Sequence, residues 1–353
     1  MLIFATSISC AEQEEYGKVP EETVTELAFQ ELYDQGIDKY LGTIMPISSQ
    51  QVGRATEHIF DSKNGPVCYT GNQFSMFTRD GSSNNLLIFL QGGGLCGPMA
   101  CAAIENSIPL LPFGILNPND SNSPTFGYDL GYLPYCDGSL WMGDNDVDSD
   151  GDGENDRSFR GLQNLSASLD VVARSYPNPG KIVLAGNSAG GFGVHAALPL
   201  VRKLYPNTTI ELINDSGIAI LPPGALDRLY TYWNASAFLP ASCTDCVGTN
   251  GNLTNYYLYQ LAQDENVRMG FISATQDSTM SLALGGDAFE SELRTLVATL
   301  NTNYPNRFNG LVPEGNEHTF LMRRFDFEVA SISVREWLRQ MLDDNEDWSS
   351  VIE

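Results

Sequence analysis

The sequence has 353 residues, of which 42% are hydrophobic and 18% charged, a balance that excludes a disordered chain and suits a globular protein with a sizeable core. Its 44 acidic and 19 basic residues give a net charge of −25, and a surface of that sign repels nucleic-acid phosphates and anionic membranes. We therefore expect no nucleic-acid partner.

The first ten residues form a short apolar run that ends in small residues and Cys10, and an acidic stretch follows. This pattern resembles the end of a bacterial lipoprotein export signal, but no Lys or Arg precedes Lys18, so the basic start of such a signal is missing. Two expectations stay open: membrane anchoring through a lipidated Cys10, or plain secretion. In both, residues 1–20 are a signal remnant with an acidic stretch, and the protein is extracytoplasmic.

The chain has seven cysteines, which suits an oxidising compartment. If Cys10 is set aside, six remain for three disulfides. The expected pairs are Cys96–Cys101 and Cys243–Cys246, which are local, and Cys68–Cys136, which follows by elimination. A redox or metal-binding role is the alternative for the CxxC at 243–246. A second CxxC would strengthen a zinc interpretation, and the sequence has none.

The expected elements alternate between strands and helices. Apolar runs closed by turn residues predict strands, and apolar residues at helical spacing predict helices. In chain order these are a helix at 21–35, strands at 86–90 and 131–136, a helix at 160–176, a strand at 181–185, a helix at 189–204, strands at 208–213 and 267–273, and a helix at 332–342. The alternation predicts an α/β fold with a mainly parallel sheet and helices on both faces. We expect a single domain over 21–353, with an insert at 144–156 and a small cap region at 220–262.

A nucleophile motif follows the strand predicted at 181–185. Gly186-Asn187-Ser188-Ala189-Gly190 matches G-x-S-x-G between a predicted strand and a predicted helix, which is the setting of the nucleophile in the α/β-hydrolase fold. We predict that Ser188 is the nucleophile. The predicted oxyanion donors are the N–H groups of Ala189, at the helix N-terminus, and of Gly93 and Gly94, in the glycine run after the strand at 86–90.

A serine nucleophile needs a base, and the sequence has three histidines. In α/β-hydrolases the acid and then the base follow the serine along the chain, which leaves His318. His58 precedes the serine, and His195 lies two turns along the helix after it, where a packing role is expected. Between serine and base, Asp277 and Asp215 both follow predicted strands. We favour Asp277 as the acid that orients the imidazole and expect Asp215 to order the loop beside the site.

The insert at 144–156 is crowded with carboxylates. Asp148, Asp150 and Asp152, followed by Gly153, match the opening of an EF-hand loop, although Phe159 stands at the twelfth position, where a Glu is usual. We predict a structural calcium-binding loop without flanking EF-hand helices; the alternative is a solvated acidic loop. The predicted ligands are Asp146, Asp148, Asp150, Asp152, Glu154 and Asp156.

Taken together, these motifs resemble the pectin acetylesterase and Notum family over residues 60–340. The resemblance implies an α/β-hydrolase fold, carboxylic ester hydrolysis, the triad Ser188, Asp277 and His318, and the oxyanion hole named above. Plant members carry an acidic residue and a Trp where this sequence has Gln91 and Leu95, beside the acyl pocket. The motifs that carry the resemblance are 90–96 (LQGGGLC), 134–138 (PYCDG), 186–191 (GNSAGG), 215–217 (DSG), 273–278 (SATQDS) and 317–319 (EHT).

The sequence therefore predicts a monomeric serine esterase that forms an acyl-enzyme, needs no cofactor for catalysis, and deacetylates an extracellular polysaccharide or a related small-acyl ester. Two alternatives stay open: an esterase or depolymerase acting on a polyester or lipid ester, and a calcium-dependent surface-binding protein on an inactive hydrolase scaffold. A pocket that holds only an acetyl group would argue against the first alternative. The intact order of serine, aspartate and histidine argues against the second.

Overall fold

The computed structural model describes residues 28–63 and 65–353. Cys10 and the first part of the helix predicted at 21–35 lie outside the described residues, and the rest of that stretch contains a short helix, Gln30–Asp34. Among the described residues, no helix combines the length and the apolar character that a bilayer span requires.

The described elements follow one another in the order expected for an α/β protein. The strands are β1 Ser48–Val52, β2 Ala55–Ile59, β3 Ser75–Arg79, β4 Leu86–Leu90, β5 Gly94–Cys96, β6 Cys101–Ala103, β7 Asp129–Leu133, β8 Asn145–Val147, β9 Arg157–Phe159, β10 Ile182–Asn187, β11 Ile210–Asp215, β12 Val267–Ile272, β13 Phe308–Val312, β14 Glu328–Val329, β15 Ile332–Ser333 and β16 Val351–Ile352. The α-helices are α1 Gln30–Asp34, α2 Gly161–Ser175, α3 Ala189–Leu204, α4 Ala225–Trp233, α5 Thr254–Gln263, α6 Gly286–Asn303 and α7 Val334–Leu342.

One ten-stranded sheet organises the molecule, in the order β1-β2-β3-β7-β4-β10-β11-β12-β13-β16. From β7 to β16 all neighbouring strands are parallel, and β1, β2 and β3 add an antiparallel edge. The predicted mainly parallel sheet is confirmed. Because the carboxyl ends of parallel strands share one edge, the loops after β4, β10, β11 and β12 meet there.

Successive residues of the central strands enter two separate cores. Leu86 and Ile88 of β4 pack with helices α2, α3, α5 and α6 on one face. Leu87 and Phe89 pack with α7 on the other face. Strands buried on both sides read as unbroken apolar runs, which explains why β4 was visible in the sequence and why helices on both faces were expected.

The predicted insert and cap have distinct structures. The insert closes a β-hairpin between β8 and β9, so strands rather than EF-hand helices flank it. The segment 220–262 contains α4 and α5, whose apolar side chains join the core beside α3. Trp233 of this segment donates its indole N–H to the carbonyl of Cys96 at 2.7 Å, which fixes the segment against the chain that follows the glycine run.

All three expected disulfides are present: Cys68–Cys136, Cys96–Cys101 and Cys243–Cys246. Cys96–Cys101 joins β5 to β6 within a hairpin. Cys68–Cys136 ties the chain after β7 to residues that precede β3. Both therefore brace segments next to the glycine run after β4.

Candidate active site

Ser188 occupies the sharp turn between β10 and α3, with a φ of 53° and a ψ of −121°. This is a strained conformation for a residue with a side chain, and such strain is typical of the nucleophile turn. The turn needs glycine on both sides. A Cβ on Gly186 would lie 2.2 Å from the carbonyl oxygen of Gly190, and a Cβ on Gly190 would lie 2.0 Å from that of Leu90.

The structure brings the three predicted triad residues into one hydrogen-bonded chain. His318 Nε2 lies 2.9 Å from Ser188 Oγ, and His318 Nδ1 lies 2.9 Å from both carboxylate oxygens of Asp277. An ionised carboxylate can only accept, so Nδ1 carries the hydrogen and Nε2 accepts from the serine hydroxyl. Asp277 is fully buried and also accepts from the N–H groups of Thr279 and Met280, at 2.9 and 3.0 Å.

Asp215, the alternative acid, lies beneath the loop that carries His318. Its carboxylate accepts from the N–H groups of Phe320 and Leu321 at 2.9 Å, and it makes no hydrogen bond to the imidazole. Burial raises the pKa of Asp215 to about 6, although the N–H donors and the nearby imidazole act in the opposite direction. The placement agrees with the expectation that Asp215 orders this loop.

The other two histidines are placed away from the serine. His195 is buried between Gln260 and Asn214, whose side chains lie within hydrogen-bonding distance of its two ring nitrogens, and burial lowers its pKa to about 4. His58, on β2, lies next to the hydroxyls of Ser49 and Thr78. Neither has the setting of a base for Ser188.

The glycine run after β4 packs directly against the serine turn. A Cβ on Gly92 would lie 2.7 Å from the Cβ of Ser188, and the Gly92 N–H donates to the side chain of Asn187 at 3.1 Å. Within the described part of the chain, the N–H groups of Gly93 and Ala189 donate to no acceptor. Gly94 adopts a φ of 83°, and it lines the pocket that holds Ser188, as Ala189 does.

That pocket has a volume of about 340 Å³ and mostly apolar walls. Leu95, one of the two departures from the plant pattern, lines it. At the other departure, Gln91, the side-chain amide oxygen accepts a hydrogen bond from the Tyr132 hydroxyl at 2.9 Å. The lining residues are Gly94, Leu95, Ala100, Ala102, Leu140, Ser188, Ala189, Phe192, Leu221, Thr279, Met280, Leu282 and Ala283.

One wall of the pocket depends on the buried carboxylate of Asp137, which was not among the predicted site residues. Asp137 accepts through Oδ2 from the N–H groups of Ser139 and Trp141, at 2.9 and 3.2 Å, and from the Ser139 hydroxyl. The turn it closes has positive φ at both Leu140 and Trp141, and it presents Leu140 to the pocket. Burial raises the pKa of Asp137 to about 6, and among the described residues its Oδ1 has no partner.

The acidic insert gathers only part of its predicted ligand set. One carboxylate oxygen each from Asp148, Asp150 and Asp152 lies within 4.8 Å of the others. Two oxygens that bind one Ca²⁺ at about 2.3–2.6 Å are at most about 5 Å apart, so these three fit a shared cation. Asp146 instead pairs with Arg160, and Asp156 accepts from Ser149. Glu154 also lies outside the group of three.

Comparison with known proteins places these motifs in a family. The pectinacetylesterase family model matches residues 48–224, a range that includes the glycine run and Ser188. The chain is 26% identical over 167 residues to the palmitoleoyl-protein carboxylesterase notum2 of Xenopus laevis, covering 43% of this chain and 33% of that protein.

Two further relatives carry the same kind of name. The palmitoleoyl-protein carboxylesterase NOTUM of Drosophila melanogaster is 28% identical over 168 residues, covering 42% of this chain and 24% of that protein. The human protein of that name is 23% identical over 237 residues, covering 57% and 47%. The match thus spans between a quarter and about half of these relatives' own length. Since the family model covers half of the chain, including the serine turn and the glycine run, this protein belongs to the pectinacetylesterase family.

Proposed function

We propose that this protein is a serine carboxylic ester hydrolase that works through an acyl-enzyme. The observation that carries the proposal is the hydrogen-bonded chain from Ser188 Oγ through His318 to the buried carboxylate of Asp277. Because the imidazole accepts from the hydroxyl and donates to the carboxylate, the same contacts serve proton removal and stabilisation of the imidazolium that results.

The reaction has two steps. Ser188 Oγ attacks the ester carbonyl carbon while its proton passes to His318 Nε2, and the carbonyl oxygen takes up the electron pair. We assign the N–H groups of Ala189, Gly93 and Gly94 to that oxygen. The tetrahedral intermediate then expels the alcohol, which takes the proton from His318, and the acyl group stays on Ser188. A water molecule then gives a proton to His318 Nε2 as its oxygen attacks the acyl carbonyl carbon. The second tetrahedral intermediate breaks its bond to Ser188 Oγ, which takes that proton back from His318, and the acid is released.

The acyl group that we propose is longer than acetyl. A volume of about 340 Å³ lies within the range of pockets that hold small-molecule ligands, whereas an acetyl group places a single methyl there. Side chains such as Leu140, Phe192 and Met280 make the walls apolar. The relatives' name, palmitoleoyl-protein carboxylesterase, refers to a long acyl group. These observations support the lipid-ester alternative over deacetylation of a polysaccharide.

The test is hydrolysis of p-nitrophenyl acetate, butyrate and octanoate. We expect Ser188→Ala to lower kcat at least about a thousandfold on each ester. In the wild type, kcat/KM should rise with chain length by up to about fourfold per buried methylene. Ala102→Phe, at the pocket wall, should reverse that trend, whereas Ala241→Phe, at an exposed site outside the pocket, should not.

The two parts of the proposal fail in different ways. Wild-type rates in Ser188→Ala would overturn the serine mechanism. A preference for acetate over both longer esters would overturn the acyl-length proposal and favour deacetylation instead.

We also propose that Asp148, Asp150 and Asp152 hold a structural calcium ion. Three carboxylates in a short loop repel one another without a cation, and their spacing suits one. The ion would brace the β8–β9 hairpin, and no step of the ester reaction uses it. The three disulfides support an extracytoplasmic location, and lipidation of Cys10 stays a prediction.

A further inference from the structure

The two most exposed large apolar side chains among the described residues adjoin the pocket that holds Ser188: one lines it, and the other is next in sequence to a lining residue. Leu282, on the 3-10 helix Met280–Ala283, lines the pocket and is 81% exposed. Met99 is 95% exposed in the turn between β5 and β6, and its neighbour Ala100 lines the same pocket. Exposed apolar residues that are grouped, rather than scattered singly over the surface, mark an interaction site.

The chain segments that supply most of the pocket-lining residues also carry no charge. Residues 92–104, 216–226 and 278–286 contribute pocket-lining residues, and these 33 residues contain no Asp, Glu, Lys, Arg or His. At the chain's 18% charged fraction, a stretch of that length would carry about six charges. Charged residues resume directly outside them, at Glu105, Asp227, Asp277 and Asp287.

From these observations we infer that the pocket mouth docks onto the surface of an aggregated, uncharged ester, such as a droplet of neutral lipid. The inference rests on the proposed ester hydrolysis, because the same pocket holds Ser188. An uncharged apolar rim forms no ion pair with a charged headgroup. A net charge of −25 opposes approach to an anionic surface. At a neutral surface, by contrast, Met99 and Leu282 would leave water while the ester groups of the aggregate face the pocket.

The binding test uses Ser188→Ala protein, so that bound ester is not consumed, with triolein droplets as the probe and flotation as the readout. We expect Met99→Ser and Leu282→Ser each to weaken binding about tenfold, the effect of withdrawing one large apolar side chain from the contact. Ile47→Ser is the matched control. Ile47 is 62% exposed, but it precedes β1, five strands from β10, which is roughly 20 Å or more across the sheet.

A second readout uses the active enzyme. The ratio of its rate on emulsified tributyrin to its rate on dissolved p-nitrophenyl acetate should fall about tenfold in Met99→Ser and stay at the wild-type value in Ile47→Ser. Anionic phosphatidylglycerol vesicles should bind less Ser188→Ala protein than triolein droplets do.

Three results would overturn the inference: no binding of the Ser188→Ala protein to triolein, binding that Met99→Ser and Leu282→Ser leave unchanged, or an equal loss in Ile47→Ser. Failure of the proposed function looks different, because the wild type would then leave the dissolved esters intact whatever the droplets bind.

Discussion

Asp277 and Asp215 are both buried beside His318, and replacing each with asparagine separates the acid of the triad from the carboxylate that holds the loop. In Asp277→Asn, the amide can turn its NH₂ toward the imidazole, which then presents the wrong tautomer to Ser188. We expect kcat for p-nitrophenyl butyrate to fall roughly 10³–10⁴-fold. The backbone N–H groups of Thr279 and Met280, which donate to Asp277 in the wild type, would still donate to the amide oxygen of the asparagine.

In Asp215→Asn the triad contacts stay in place, but the loop loses part of its anchor. With its amide oxygen at the Oδ2 position, the asparagine keeps the hydrogen bonds from the N–H groups of Phe320 and Leu321. Its NH₂ then takes the Oδ1 position, where the carboxylate accepted from Phe320, and that hydrogen bond is lost. A hydrogen bond to a charged group contributes about 1.5–3 kcal/mol. Part of this loss is offset, because the variant buries a neutral amide at this position instead of a carboxylate. A shift of His318 approaching 1 Å would lower kcat about 10- to 100-fold.

The assay compares kcat of both variants with the wild type and monitors thermal unfolding, so that loss of fold is separated from loss of chemistry. Both substitutions keep the side-chain shape, which makes them matched controls for each other. If Asp215→Asn costs as much kcat as Asp277→Asn, or more, the assignment of the acid is wrong and the two roles must be exchanged.

Two further predictions concern stability. The folded-state pKa values of Asp137 and Asp215, both about 6, lie above the unfolded value near ~3.9, so the folded protein holds extra protons between these limits. These two groups should therefore each lower the free energy of unfolding, measured with urea, by up to about 3 kcal/mol as pH rises from about 4 to about 6. Asp137→Asn removes one of these contributions, so its free energy of unfolding should fall less over this range than that of the wild type; an identical pH dependence would refute the reasoning. Returning Ca²⁺ to EDTA-treated protein should raise Tm by a few degrees in the wild type and in Glu154→Gln, but not in Asp150→Asn, and equal shifts in all three would count against the site.

The central strands could be predicted because burial on both faces leaves an apolar signal that needs no tertiary information. The edge strand β1 could not, since it is exposed along its whole length and its polar sequence is typical of a loop. Strand β13 was hidden for another reason. Its centre is Asn309-Gly310, where the amide of Asn309 donates to the Trp348 carbonyl and a Cβ on Gly310 would press into Val297.

Helix α6 was readable but was not among the predicted elements. Its buried positions recur at helical spacing: Phe289, Leu293, Leu296, Val297 and Leu300. The strand predicted at 131–136 was too long at its end, because β7 stops at Leu133. Beyond it the chain bends into the turn held by Asp137, and that turn is specified by side-chain contacts rather than by hydrophobic pattern.

The candidate triad was within reach of the sequence because chain order restricts the choice of base and acid. The pocket was not, since Leu140 reaches it through a left-handed turn and Met280 through a 3-10 helix. The acidic insert shows the same limit. Alternating aspartates were visible, but not that Arg160 and Ser149 would engage two of them.

The spacing of the triad along the chain has a consequence for synthesis. Synthesis of the glycine run and the serine turn is complete by residue 190, whereas the proposed acid is residue 277 and the proposed base is residue 318. Domains form progressively as the ribosome delivers them, but here a nascent chain would carry its nucleophile for some 130 further residues without a base to activate it. Under the proposed mechanism, a nascent chain would therefore stay without hydrolytic competence until His318 has left the ribosome and docked beside Ser188.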